Sequence, residues 1–157
     1  MTSTSKSPRG LRGRAVPLAL LLLASTSLYA QQPMSLTLKG DAEVPPVTTS
    51  ATGSGQITVM PDHKVSGSIK VSGFVPTMAH IHEAAVGKNG PPIITLSKTT
   101  DDTFTVPADA KLSDAQYMSY MAGNLYVNVH SDRNPGGEVR TQLMHPEAAG
   151  KPMRPAY

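Results

Sequence analysis

Ala79-His80-Ile81-His82-Glu83-Ala84 and, further on, Tyr126-Val127-Asn128-Val129-His130 decide how this chain reads. Both stretches fit a period of two, that of an extended strand whose successive side chains leave opposite faces. With Ile81, Val127 and Val129 pointing into a core, His80, His82, Asn128 and His130 fall on the outer face. Side chains two apart leave that face ~6–7 Å from each other at Cα. Two imidazoles so spaced can converge on one metal ion, provided the second strand brings His130 to the same point.

Working outward, the same period recurs. Ser35-Leu36-Thr37-Leu38-Lys39 alternates, and residues 53–60 and 64–72 form a pair of strand-like runs around Pro61-Asp62-His63-Lys64, a good turn. In the second run Val65, Gly67, Ile69 and Val71 share a face. Further strands are expected over 75–83, 93–96, 103–106, 125–130 and 138–144. Gly87-Lys88-Asn89-Gly90-Pro91-Pro92 and Ser131 to Gly137 are loops by composition. Ser113-Asp114-Ala115-Gln116 is a capping box, and Gly123 stands where a helix ends, so one short helix is predicted over 114–122. Met118 and Met121 are its expected buried face. The sum is an all-β fold, a Greek-key β sandwich or barrel with one short helix. No internal repeat is present.

The first thirty residues read as an address label. Lys6, Arg9, Arg12 and Arg14 precede an uncharged apolar run from Ala15 to Ala24, and small residues lead to a cleavage point after Ala30. That run is too short for a bilayer span of ~20 residues, so it predicts a signal peptide over 1–30 and an exported chain, periplasmic or secreted. Residues 31–34 are a lead-in, 35–144 one domain, and 145–157 a proline-rich tail. The whole sequence carries a net charge of +3, but without the leader ten Lys/Arg stand against eleven Asp/Glu, a net of −1. Nucleic acid is thereby disfavoured as a partner, and no membrane span is expected in the mature chain. The chain has no cysteine, which removes disulfides, thiolate metal sites and a Cys nucleophile.

Five ordered motifs carry a resemblance. Glu43-Val44-Pro45-Pro46-Val47, Ala79-His80-Ile81-His82, Asn89-Gly90-Pro91, Tyr126 to His130 and Asn134-Pro135-Gly136-Gly137-Glu138-Val139-Arg140 together resemble the CHRD domain, first described in chordin and common in exported bacterial proteins. CHRD domains sit in proteins of different roles, so the resemblance implies a fold and leaves activity open. A weaker likeness concerns the site. A His-x-His on one strand with a later Val-His on another is similar to the copper half of copper/zinc superoxide dismutase, and by position it matches His80, His82 and His130 to three copper ligands. The bridging histidine, the zinc loop and the disulfide of that family have no counterpart here.

Neutral imidazole suits copper, zinc, nickel or iron, and three nitrogens leave a coordination position open. Copper, which tops the affinity order and suits an exported setting, is the expected metal, with zinc second. Met78 lies one strand step from His80 on the same face, either as a soft fourth donor or as a gap-filler. Asn128 is expected to hydrogen-bond behind a ligand. Arg140 is expected to pair with Glu138 or to guide an anion to the open position. His63 and His145 read as solvated, and Glu43 as a residue that fixes a loop. No phosphate loop, nucleophile elbow or carboxylate pair is present, so no catalytic residue is assigned and an enzyme is not the first expectation. The expected function is copper binding or handling. Its alternatives are a metal-free module that binds a protein partner and a dismutase-like redox protein.

Overall fold

The computed structural model describes residues 1–2 and 33–145. The expected signal peptide from residue 3 onward and the tail from residue 146 lie outside these. Among the described residues nine antiparallel strands, one 3-10 turn (Gly40–Ala42) and one α-helix follow in chain order: β1 (Met34–Lys39), β2 (Thr52–Val59), β3 (Val65–Ser72), β4 (Pro76–Glu83), β5 (Pro92–Thr95), β6 (Ser97–Lys98), β7 (Thr103–Thr105), α1 (Asp114–Met121), β8 (Leu125–Ser131) and β9 (Val139–Leu143). Among the described residues no helix is long and apolar enough to cross a membrane.

The strands lie in the order β5-β4-β8-β9-β1-β2-β3-β7-β6. Only Leu96 separates β5 from β6, so the two ends of this order belong to one continuous stretch. That stretch pairs with β4 through its first half and with β7 through its second. Leu96 N donates to Ala79 O at 2.9 Å, and Lys98 Nζ donates to Pro76 O at 2.9 Å. The sheet therefore curls into a nearly closed barrel, which leaves little edge exposed.

The interior is what the alternation predicts. Leu38, Ile57, Ile69, Val71, Ala79, Ile81, Val127, Val129 and Val139 are all buried in one cluster. The β2–β3 hairpin turns through His63, whose φ is +71°. The helix is capped as expected: Gln116 N donates to Ser113 Oγ at 3.2 Å and Ser113 N to Gln116 Oε1 at 2.8 Å, while Gly123 takes φ +76° just beyond the end. Its buried face differs from the expectation. Tyr120 is buried, and Tyr117 and Met121 pack on the core, whereas Met118 is 67% exposed. Two aromatic rings on that face bury more apolar surface than a methionine would, and they set the rotation of the helix.

Candidate metal centre

Antiparallel pairing of β4 with β8 builds the site. The register sets Met78 opposite His130, His80 opposite Asn128 and His82 opposite Tyr126, while β9 adds Arg140 opposite Asn128. A register shift between Ile81 and His82 in the β4–β5 pairing marks an irregularity next to the site, of the kind that re-aims side chains near functional centres.

The three histidines come together. One ligand atom from each of His80, His82 and His130 lies within 4.8 Å of the others. His80 Nδ1 and His130 Nε2 are 2.9 Å apart. His82 and His130 are buried, and His80 is half-buried. Their outer nitrogens meet backbone: His82 Nδ1 is 2.9 Å from Gly90 O, and His130 Nδ1 is 2.9 Å from Pro135 O. A carbonyl oxygen only accepts, so both Nδ1 atoms carry the proton and both Nε2 atoms present a lone pair. The Nε2 of His82 is buried without a hydrogen-bond partner. A cation at the point of convergence satisfies that atom and suits the His80–His130 approach as well.

Electrostatics favours the same outcome. Burial lowers the proton affinity of all three rings. His130 and His82 lower that of His80 further, and Arg140 that of His82, while the Gly90 and Pro135 carbonyls act in the opposite sense. The rings are thus held neutral, the form that binds metals.

Both composition-defined loops flank the site. The 87–92 loop supplies Gly90 O, and the 131–137 loop supplies Pro135 O. Arg140 holds the first in place, through Nη2 to Lys88 O at 2.9 Å and Nη1 to Asn89 Oδ1 at 3.1 Å. Its guanidinium carbon sits 3.4 Å from the Tyr126 ring centroid, and Tyr126 stacks on His82 with centroids 4.8 Å apart and 7° between planes. Arg140, Tyr126 and His82 therefore form one column.

Several expectations are corrected here. Arg140 does not pair with Glu138, which instead accepts from Ser131, Asn134 and Thr49. Burial opposes ionisation of Glu138, but those hydrogen bonds hold its carboxyl below the ordinary range. Arg140 is 2% exposed behind Tyr126, so it braces the loop and is not open to an incoming anion. Asn128 leaves the outer nitrogen of His130 to Pro135 O; its Nδ2 donates to Gly136 O at 3.3 Å, and its side chain acts on His82 instead. Met78 is 49% exposed and fills no core gap. His63 stacks on Tyr117 with centroids 4.2 Å apart, and His145 is buried edge-on to Tyr120, so neither is a solvated side chain.

Gly90 O, Pro135 O and the Tyr126 ring were not legible as site components. Backbone carbonyls carry no residue signature, and only the register reveals that Tyr126 faces His82. Glu43 was legible as a loop residue, yet it is 5% exposed and its carboxyl is pushed up to about 7 by burial.

Fold and site define an all-β barrel domain with a neutral three-histidine cluster under two loops. The CHRD domain model matches residues 34–143, and the chain belongs to that family. No curated protein and no solved structure shows a significant match.

Proposed function

We propose that this protein binds one copper ion through His80, His82 and His130 and serves in copper binding or handling outside the cytoplasm. The observation that carries the reading is the convergence of three nitrogens, two with lone pairs fixed by backbone carbonyls and one of these buried without a partner. Bound there, the metal would supply Lewis acidity or one-electron chemistry at an open position. The residues of the chain do the rest. Gly90 and Pro135 orient the rings, Tyr126 and Arg140 stiffen His82 from behind, and half-exposed Met78 opposite His130 is available as a soft donor that favours Cu(I). The export signal expected over 1–30 fits this role.

The test is titration of the wild type and of the triple variant H80A/H82A/H130A with Cu(I), Cu(II) and Zn(II). One equivalent bound by the wild type, tighter for copper than zinc, with at least a hundred-fold loss in the variant, is the expected outcome. Equal affinity and stoichiometry in the two proteins would sink the site. A metal-free interaction module is the second reading, favoured by the exposed apolar side chains of Val75 and Val86; it gains if no metal is taken up.

A further inference from the structure

Among the described residues, three buried side-chain atoms lack a hydrogen-bond partner: Glu43 Oε1, Asn128 Oδ1 and His82 Nε2. They form one cluster. The Asn128 amide is near enough to act on the ionisation of both Glu43 and His82. A side chain on Gly137 would meet Glu43 Oε1 and Asn128 Nδ2 together, so those two groups share the space under that glycine. His82 Nε2 and Asn128 Oδ1 are acceptors, since the ring proton of His82 is on Nδ1, and Glu43 Oε1 is an acceptor in the carboxylate and can donate only when the carboxyl is protonated. A buried acceptor without a donor is costly, and such a cluster calls for a proton or a cation. The metal reading supplies it at His82 and leaves Glu43 unserved.

We propose that Glu43 holds a proton in the metal-free protein and releases it when a metal ion occupies the three histidines, with Asn128 as the link between them. The inference rests on the metal reading above. Burial favours the neutral acid, with a proton retained up to about pH 7. The charged and polar groups that face the carboxyl pull both ways: Arg140 and Asn128 favour the carboxylate, and Glu138 opposes it. A cation arriving at His82 adds positive charge on the Asn128 side and tips that balance. The carboxyl O–H bond then breaks, its electron pair stays on the carboxylate, and the proton leaves to solvent. No oxidation or reduction is involved. The exit is a cleft of about 510 Å³ that Glu43 lines with Asn89, Pro135, Gly136 and Gly137. By reciprocity, a protein that has lost this proton binds the metal more tightly.

Glu43 is thus a positioning residue whose effect is read in protons. Calorimetric titration with Cu(II) near pH 6.5, in two buffers of different ionisation enthalpy, counts the protons released by the wild type and by Glu43→Gln. About one more proton from the wild type is the expected difference. Equal release from two proteins that both bind copper overturns the inference and leaves the metal site standing. Infrared spectra decide the matter without a change at Glu43. A protonated-carboxyl band in the metal-free protein that disappears with Cu(II), and persists in H80A/H82A/H130A, supports the coupling; a band that is absent or unchanged overturns it. No copper uptake by the wild type overturns the metal reading, and the coupling with it.

Discussion

Glu43 shows what a single buried carboxyl does to folding. Its proton affinity rises from an ordinary value of 4.5 to about 7, chiefly through burial. Between those values the folded chain keeps a proton that the unfolded chain has released, so stability falls as pH rises across that window. The full effect is at most about 3 kcal/mol. The three histidines tilt the other way. Their folded affinities are lowered, so the unfolded chain takes up protons first as pH falls below its ordinary histidine range, and stability drops there. That slope is common to the wild type and Glu43→Gln and cancels between them. Chemical denaturation of the metal-free proteins should therefore give matching stabilities near pH 4, below the window, and a more stable Glu43→Gln at pH 8. A variant no more stable than the wild type at pH 8 would show that the carboxyl is not strained by its burial.

At the scale of elements, the site belongs to loops as much as to strands. β4 and β8 aim three imidazoles, but the 87–92 loop decides which nitrogen of His82 is free. Gly90 is confined there, since a Cβ on it would overlap the Glu83 carbonyl oxygen, and its N–H donates to the Tyr126 hydroxyl at 3.3 Å. Gly90→Ala must move the loop and with it the carbonyl that fixes His82. Groups in this supporting position typically contribute 10–100-fold to metal affinity. A loss of that size is expected in competition titrations, with circular dichroism unchanged because the barrel does not depend on the loop. Unchanged affinity would show that Gly90 O does not set the tautomer.

For the whole molecule, the site spans strands far apart in the chain. His80 and His130 are fifty residues apart in sequence, and β4 reaches β8 only when the barrel is assembled. A ligand that needs this arrangement binds the folded state alone, and it must raise stability by mass action. At a free copper concentration a hundred times Kd the gain is about 2.7 kcal/mol, which corresponds to a melting shift on the order of 10 °C for a domain of this size. Differential scanning calorimetry with and without Cu(II) measures it, and H80A/H82A/H130A should show no shift. The stretch paired with His80 through Thr95 continues into β6, which pairs with β7, so residues 92–98 close the barrel beside the site.

Alternation alone determined which residues face the core, because a period of two admits a single partition between the faces of a strand. It put Ile81, Val127 and Val129 inside and the histidines outside, and the capping box bounded the helix just as locally. The tertiary structure decided the rest. Every residue of β8 is buried, since loops cover its outer face, and no local pattern in Tyr126-Val127-Asn128-Val129-His130 reports a covering that comes from residues 87–92 and 131–137. The same holds for Arg140, whose partners are a carbonyl and an amide some fifty residues away and not the glutamate two positions before it. Register and loop placement arise from long-range packing, and that packing turns three outward histidines into a neutral, largely buried cluster.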